Sequence, residues 1–366
     1  MGQKIREWLE VRIGLGELIR SQLTEYRVPK NINILYTLGM VAFAAFLIQV
    51  VTGILLLFIL LLFYYIPDDK DAFESVQFIM NHVPYGWLFR LMHVVGSNLM
   101  VAVVLLHMGS VFFLGSYKKP RELTWVVGSL LLLTTMGFCL SGYLLPWSQL
   151  SFWATTVVTN IPTAFPLCGD LVCKILRGSE NVSGATLNRF FALHVAFLPL
   201  LLVLLFFVHA FLVRRIGISA PPMSSEEPEN WQEFRHDSHP DGPPFYPDFV
   251  SKEVLMTVVY LMVMFAIISF APALFIPADA NTPADPFNTP EHIRPEWYFL
   301  APYEMLKLIP NRFLGIALQL ILMVVFILWP FIDTSKNYNI LKRPWLLTLF
   351  FVTIVVWAGI TLWGSF

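Results

Sequence analysis

Seven long apolar runs constrain what this chain can become. They cover approximately residues 33–66, 87–114, 124–145, 189–213, 254–276, 313–332 and 345–363. About 20 apolar residues suffice to cross a bilayer as a helix. In lipid a backbone must satisfy its own N–H and C=O groups, which favours helices over open strands. The chain is 57% hydrophobic and 13% charged, far from the composition of a soluble domain. Its net charge of −1 leaves no electrostatic footprint for nucleic acid. The expected fold is all-α and integral to the membrane, with seven transmembrane helices. The run 33–66 is long enough to tilt or to project beyond the bilayer.

Lysine and arginine set the expected orientation. Sixteen of the 24 lie on the side of the N-terminus and of loops 115–123, 214–253 and 333–344. The positive-inside bias puts that side in the cytoplasm. Residues 1–30 are polar and charged, without the early apolar core of a signal peptide. Residues 4–26 place Trp8, Val11, Leu15, Leu18 and Ile19 near one face, which predicts an interfacial helix lying on membrane lipid. Loop 214–253 is rich in proline and charge and reads as a linker. Four parts are expected: an interfacial segment 1–32, a four-helix domain 33–214, a linker 215–253 and a three-helix unit 254–366. His236 and His239 sit in the linker beside Asp237 and Asp241; a metal site is conceivable there, and a solvated loop is the plainer reading. Cys139, Cys168 and Cys173 match no zinc or c-type haem spacing. Cys139 reads as a packed thiol, and a disulfide between Cys168 and Cys173 stays open.

Four histidines carry the chemistry. His93 and His107 lie 14 residues apart in the second run, His194 and His209 15 apart in the fourth. Fourteen residues of helix are about four turns and about 21 Å. Each pair therefore presents two imidazoles near one helix face, one toward each side of the bilayer. The two runs cross in the same direction, so His93 matches His194 in depth and His107 matches His209. An ionisable group at that depth is costly and marks a functional site. Two such cross-helix pairs suit bis-histidine haem, with both axial positions filled for electron transfer. Gly39 and Gly53, and Gly128 and Gly142, repeat the 14-residue period in the first and third runs. Glycine lets a flat macrocycle approach the backbone, although small residues also serve helix packing in membranes. The 15-residue interval overshoots the starting face by about 60°. Pro199, between the two histidines, can kink or rewind that helix.

These residues, with W-L-F-R-L-M-H at 87–93, K-K-P-R-E-L-T-W at 118–125, G-Y-L-L-P-W at 142–147 and P-E-W-Y at 295–298, resemble cytochrome b of the quinol–cytochrome c oxidoreductases, the cytochrome bc and bf complexes. The resemblance covers nearly the whole chain. The ligand spacings and seven spans look like the bf branch, with its two parts joined; T-P-E-H-I-R-P-E-W-Y at 289–298 looks closer to the bc branch.

The resemblance implies an N-terminal four-helix dihaem bundle holding two non-covalent b haems. The low-potential haem would lie between His93 and His194 near the outer side, the high-potential haem between His107 and His209 near the inner side. Arg90 would pair a haem propionate. Quinol would be oxidised in an outer pocket walled by Gly142 to Trp147, by 148–162 and by Pro295 to Tyr303, which includes Trp297 and Tyr298. Glu296 would accept a quinol proton, with Tyr143 and Tyr303 lining the pocket. Arg121 and Arg214, with Lys30, are candidates near an inner quinone site. One electron would pass to a Rieske-type iron–sulfur protein, the other across the membrane to quinone, coupled to proton translocation in a respiratory or photosynthetic chain. A c-type cytochrome subunit, a homodimer and a bacterial inner-membrane setting are implied in the same way. The bf branch tethers a third haem through a cysteine where this chain has Thr37, so no covalent haem is expected.

Two rivals stay open on the sequence. A dihaem anchor for a quinone-reactive dehydrogenase would need no second quinone pocket. A haem-free transporter using histidines for protons would give no reason for the glycine pairs.

Overall fold

The computed structural model describes residues 2–59, 62–222, 239, 241–290 and 293–366; His236 lies outside them. Six described helices are long and apolar enough to cross a membrane. They are span one (Ile34–Leu57), span two (Gly86–Phe113), span three (Glu122–Leu144), span four (Gly184–Ile216), span five (Phe245–Phe270) and a final span (Pro344–Gly364). Their surfaces are largely apolar and exposed, Leu200, Leu204, Phe207 and Phe211 on span four among them, as lipid-facing helices require.

The seventh expected run is a 16-residue helix, Arg312–Ile327, followed by the short helix Trp329–Ile332. Sixteen residues rise about 24 Å, short of a typical hydrocarbon core of about 30 Å. The break has a cause. Pro330 lacks the N–H that would bond the Phe326 carbonyl four residues back. Trp125 of span three donates its indole N–H to that carbonyl instead, at 2.9 Å.

Other boundaries also differ from expectation. Span one ends at Leu57 instead of running to 66, and Phe58–Ile59 pairs antiparallel with Leu62–Phe63. Hydropathy reports an apolar environment, not the backbone conformation adopted in it. Span five starts at Phe245, inside the expected linker, and ends at Phe270. The N-terminal segment breaks at Gly14, whose φ of 56° is left-handed and ends the helix Gly2–Ile13. Ile5, Trp8, Val11 and Ile13 are exposed on that helix.

The packing pairs each histidine helix with a glycine helix. Span one packs along span two, and span three along span four. Phe43 of span one stacks on Phe206 of span four, ring centroids 4.5 Å apart. Span five leans on spans one and two, where Val41, Ala45, Val95, Tyr260 and Met264 share one buried core.

Loops gather at two opposite ends. At one end Arg27 pairs with Pro244, and Lys118 meets Asp333. At the other, Ser148 pairs with Pro283, and Gln149 Oε1 accepts from Asp285 N at 2.7 Å.

Candidate functional site

Spans two and four bring the histidines together as the spacing requires. The His93 and His194 rings have centroids 6.2 Å apart, at 74° to one another. A metal–imidazole bond of about 2 Å on each side puts two axial rings roughly 6 Å apart between centroids. His107 and His209 lie near enough to interact electrostatically.

The helix that carries His194 and His209 absorbs its extra residue in a wide turn. Residues Leu193–Phe197 are π-helical, and Leu198 N–H reaches back five residues to Leu193 O. A π turn adds one residue to the local period, so 15 residues there do the work of 14. Pro199 follows immediately and contributes no N–H, so the regular ladder is already broken at that point. The wide turn supplies the rewinding expected of Pro199.

Each histidine faces one glycine. A Cβ added at Gly39 would lie 3.2 Å from His107 Cε1, and at Gly53 3.3 Å from His93 Cε1. At Gly128 it would lie 3.2 Å from His209 Cε1, and at Gly142 2.5 Å from His194 Cε1. The four glycines thus clear the imidazoles themselves and set how far the rings stand back from the neighbouring helix. This refines the expected role, close approach of a macrocycle to the backbone.

Hydroxyls hold the His93 and His194 pair. Thr52 Oγ1 is 2.9 Å from His93 Nδ1, and Ser141 Oγ is 3.0 Å from His194 Nδ1. Composition and spacing did not single out these two residues. The available signal was a hydroxyl residue immediately before Gly53 and Gly142. Arg90, one turn before His93, is buried at 8% exposure and has no carboxylate partner among the described residues. A buried cation needs a counter-charge. Paired imidazoles, opposing glycines and a buried unpaired arginine together fit a bis-histidine haem bearing propionates.

At the end where Ser148 pairs with Pro283, P-E-W-Y starts a helix, Trp297–Leu308, with Glu296 as its cap residue. Burial pushes the Glu296 carboxyl up to about 7, because a charged group there loses water. Tyr143 and Glu296 interact electrostatically, as do Tyr298 and Cys139. Trp297 donates to Asn98 of span two. The facing wall is the helix Gln149–Asn160, capped by Ser148. Tyr303 lines an open cavity of about 490 Å³ with Val157, Ile293, Glu304 and Lys307. The structure therefore joins Glu296 to Tyr143 and puts Tyr303 two turns further along. Pro295 is half-buried.

The inner candidates are engaged in the fold. Arg214 donates to Gln22 Oε1 at 2.7 Å and lies 4.0 Å from the Tyr26 ring centre. Arg121 donates to Gly217 O at 3.1 Å. Lys30 makes an exposed ion pair with Asp241. Thr37 is fully buried and donates to Ile34 O. Cys139, Cys168 and Cys173 are free thiols. Arg177, missed in the sequence, is buried at the end of the helix Gly169–Arg177 and bonds Thr159, Asn160 and the carbonyls of Thr156 and Glu180.

Comparison with known proteins gives the family. Residues 23–217 match the family model described as Cytochrome b/b6/petB, and residues 283–366 match Cytochrome b(C-terminal)/b6/petD. Cytochrome b of Rickettsia prowazekii (strain Madrid E) is 37% identical over 93% of this chain and 81% of its own length. Cytochrome b of Acanthamoeba castellanii is 37% identical over 94% of this chain and 86% of its own. A chain of a solved "Hyperthermophilic respiratory Complex III" superposes with a TM-score of 0.88 at 35% identity. That superposition covers 98% of this chain and 91% of the other.

Proposed function

The chain belongs to the cytochrome b family of the bc type, a membrane subunit of complex III-type oxidoreductases, and from that premise we propose how its residues work. His93 with His194 would hold one b haem, and His107 with His209 a second. When bound, the two haems supply one-electron carriers toward opposite sides of the membrane. The observation that carries this reading is the opposition of four glycines to four imidazoles, with His93 and His194 spaced for one metal between them.

Quinol oxidation belongs at the outer end. Glu296 accepts a quinol proton and passes it toward water, a task suited to a group poised near neutral pH. Tyr143 lines the same pocket. Losing two protons and two electrons, quinol becomes quinone; one electron goes to a Rieske-type iron–sulfur partner and the other crosses to a quinone at the inner end. Neither Arg121 nor Arg214 is free in the fold, so a role for them at that inner site would run through the loops they hold.

The hydrogen bond from Trp297 to Asn98 favours this reading over a simple dihaem anchor, because it holds the P-E-W-Y segment against the helix that carries His93. Arg312–Ile332 supports a seventh crossing. Phe313 packs on Phe165 at the outer end, while Asp333 meets Lys118 at the opposite one. The lysine-rich end, with the N-terminus, would face the cytoplasm of a bacterial inner membrane. A c-type cytochrome subunit and a second copy of this chain would complete the assembly. Thr37 would carry no tethered haem.

The test is a pyridine haemochrome assay on purified protein before and after acid–acetone extraction. Two extractable b haems per chain are expected. A native preparation without haem would overturn the reading, and haem that resists extraction would overturn the Thr37 expectation.

A further inference from the structure

The two histidine pairs differ in what meets the ring nitrogen turned away from the partner. Thr52 and Ser141 are 1% and 3% exposed. A hydroxyl has one proton to give. Thr52 gives its proton to Ile48 O at 2.7 Å, and Ser141 gives its proton to Phe138 O at 3.2 Å. Each can then only accept from the imidazole beside it. His93 and His194 therefore carry their proton on Nδ1, which leaves each Nε2 lone pair for the space between the rings. The Gln49 amide nitrogen donates to the His93 carbonyl at 3.0 Å and also lies 3.3 Å from His93 Nδ1, farther than Thr52 Oγ1 at 2.9 Å, while its oxygen accepts from Ser97 N–H at 3.1 Å.

The inner pair has no such support. Leu38 and Val127 precede Gly39 and Gly128, where Thr52 and Ser141 precede Gly53 and Gly142. Among the described residues no hydroxyl bonds the His107 or His209 ring. The Thr124 backbone lies near His209, but Nδ1 is buried without hydrogen-bonding geometry to it.

We propose that Thr52 and Ser141 set the potential of the outer haem. By accepting from Nδ1–H they make the two outer imidazoles stronger donors to iron, which favours the ferric state and lowers the midpoint potential. The inner pair lacks these acceptors, so the two potentials are driven apart by four residues on the glycine helices. The downhill direction that follows is from outer to inner haem. Thr52 and Ser141 are positioning residues, acting through the ligands. The proposal rests on the haem assignment above.

The test is redox titration of both haems in the purified complex, for the wild type, Thr52→Val, Ser141→Ala and the double variant. Each single variant is expected to raise the outer midpoint, as about a tenfold change in the oxidised-to-reduced ratio at fixed ambient potential, or about 59 mV for one electron. The inner midpoint stays put, and Thr52→Ser restores the wild-type value. Unchanged potentials with both haems bound would overturn the proposal, and so would equal shifts in both haems. Should Thr52→Val fail to assemble, Ser141→Ala and Thr52→Ser decide it on the same criteria. A wild-type protein without haem would overturn the parent assignment instead, which keeps the two failures distinct.

Discussion

Trp297 donates its indole N–H to Asn98 Oδ1 at 3.0 Å. Asn98 is buried in span two, five residues after His93, and its own amide donates to Val94 O. One hydrogen bond thus ties the P-E-W-Y segment to the helix that carries two of the histidines. The Glu296 carboxyl is positioned by its neighbour's anchorage.

Replacing Asn98 by Ala leaves the Trp297 N–H without its acceptor. A buried unsatisfied donor costs about 1–3 kcal/mol. The expected outcome is about tenfold lower kcat/KM for quinol, equivalent to about 1.4 kcal/mol, with haem content unchanged. Steady-state quinol oxidation alongside the haemochrome assay checks it. Equal loss of haem and activity would refute a positioning role.

The glycines divide into essential and dispensable ones. Gly142→Ala drives Cβ to 2.5 Å from His194 Cε1, a separation that forces the ring to move. Gly109, in the same helix as His93 and His107, has open space around an added Cβ. Gly142→Ala is expected to lose outer haem, and Gly109→Ala to keep both. Haem stoichiometry per chain distinguishes them.

Glu296 has its carboxyl raised to about 7 by burial. Below that pH it holds a proton and cannot accept another; above it the carboxylate is ready to accept. Quinol oxidation is therefore expected to rise with pH through about 7. In Glu296→Gln that limb disappears and the rate falls 10²-fold or more, on the order of a lost general base. A pH–rate profile of both proteins is the measurement.

At the opposite end of the bundle Asp333 sits beneath Tyr117, Lys118 and Arg343. Lys118 Nζ approaches it at 2.8 Å and Arg343 binds both carboxylate oxygens at 2.5 and 2.8 Å, while Tyr117 donates a further bond. Burial alone would raise the carboxyl, but these bonds outweigh it and hold the group below the usual carboxylate range. A depressed carboxylate contributes stability above its unfolded pKa and loses it as pH falls through the folded value. The cluster should therefore persist down to about pH 4 and fail only in stronger acid. Asp333→Asn strands two buried cations, at a cost of about 3–5 kcal/mol. Thermal unfolding in detergent against pH reads both effects, as the cluster joins the loop after span two to the C-terminal unit.

The pairing of the histidines was legible because helix geometry is local. Fourteen residues return a side chain to nearly the same face whatever surrounds it, so His93, His107, Gly39, Gly53, Gly128 and Gly142 announced themselves by spacing. The interval from His194 to His209 did not, because its phase depends on the π turn Leu193–Phe197. The motif at 295–298 pointed to Glu296, but its raised carboxyl comes from burial among elements far apart in sequence.

The amino-acid sequence by itself determined a helical membrane protein, its approximate spans and the four paired histidines, since apolar length and a four-turn period are properties of a single segment. Tertiary structure alone decided the rest: which glycine clears which ring, which hydroxyl holds Nδ1, how Asn98 anchors Trp297, and how Asp333 gathers two cations. Each of these joins side chains from different helices or loops, and no local period encodes such a meeting.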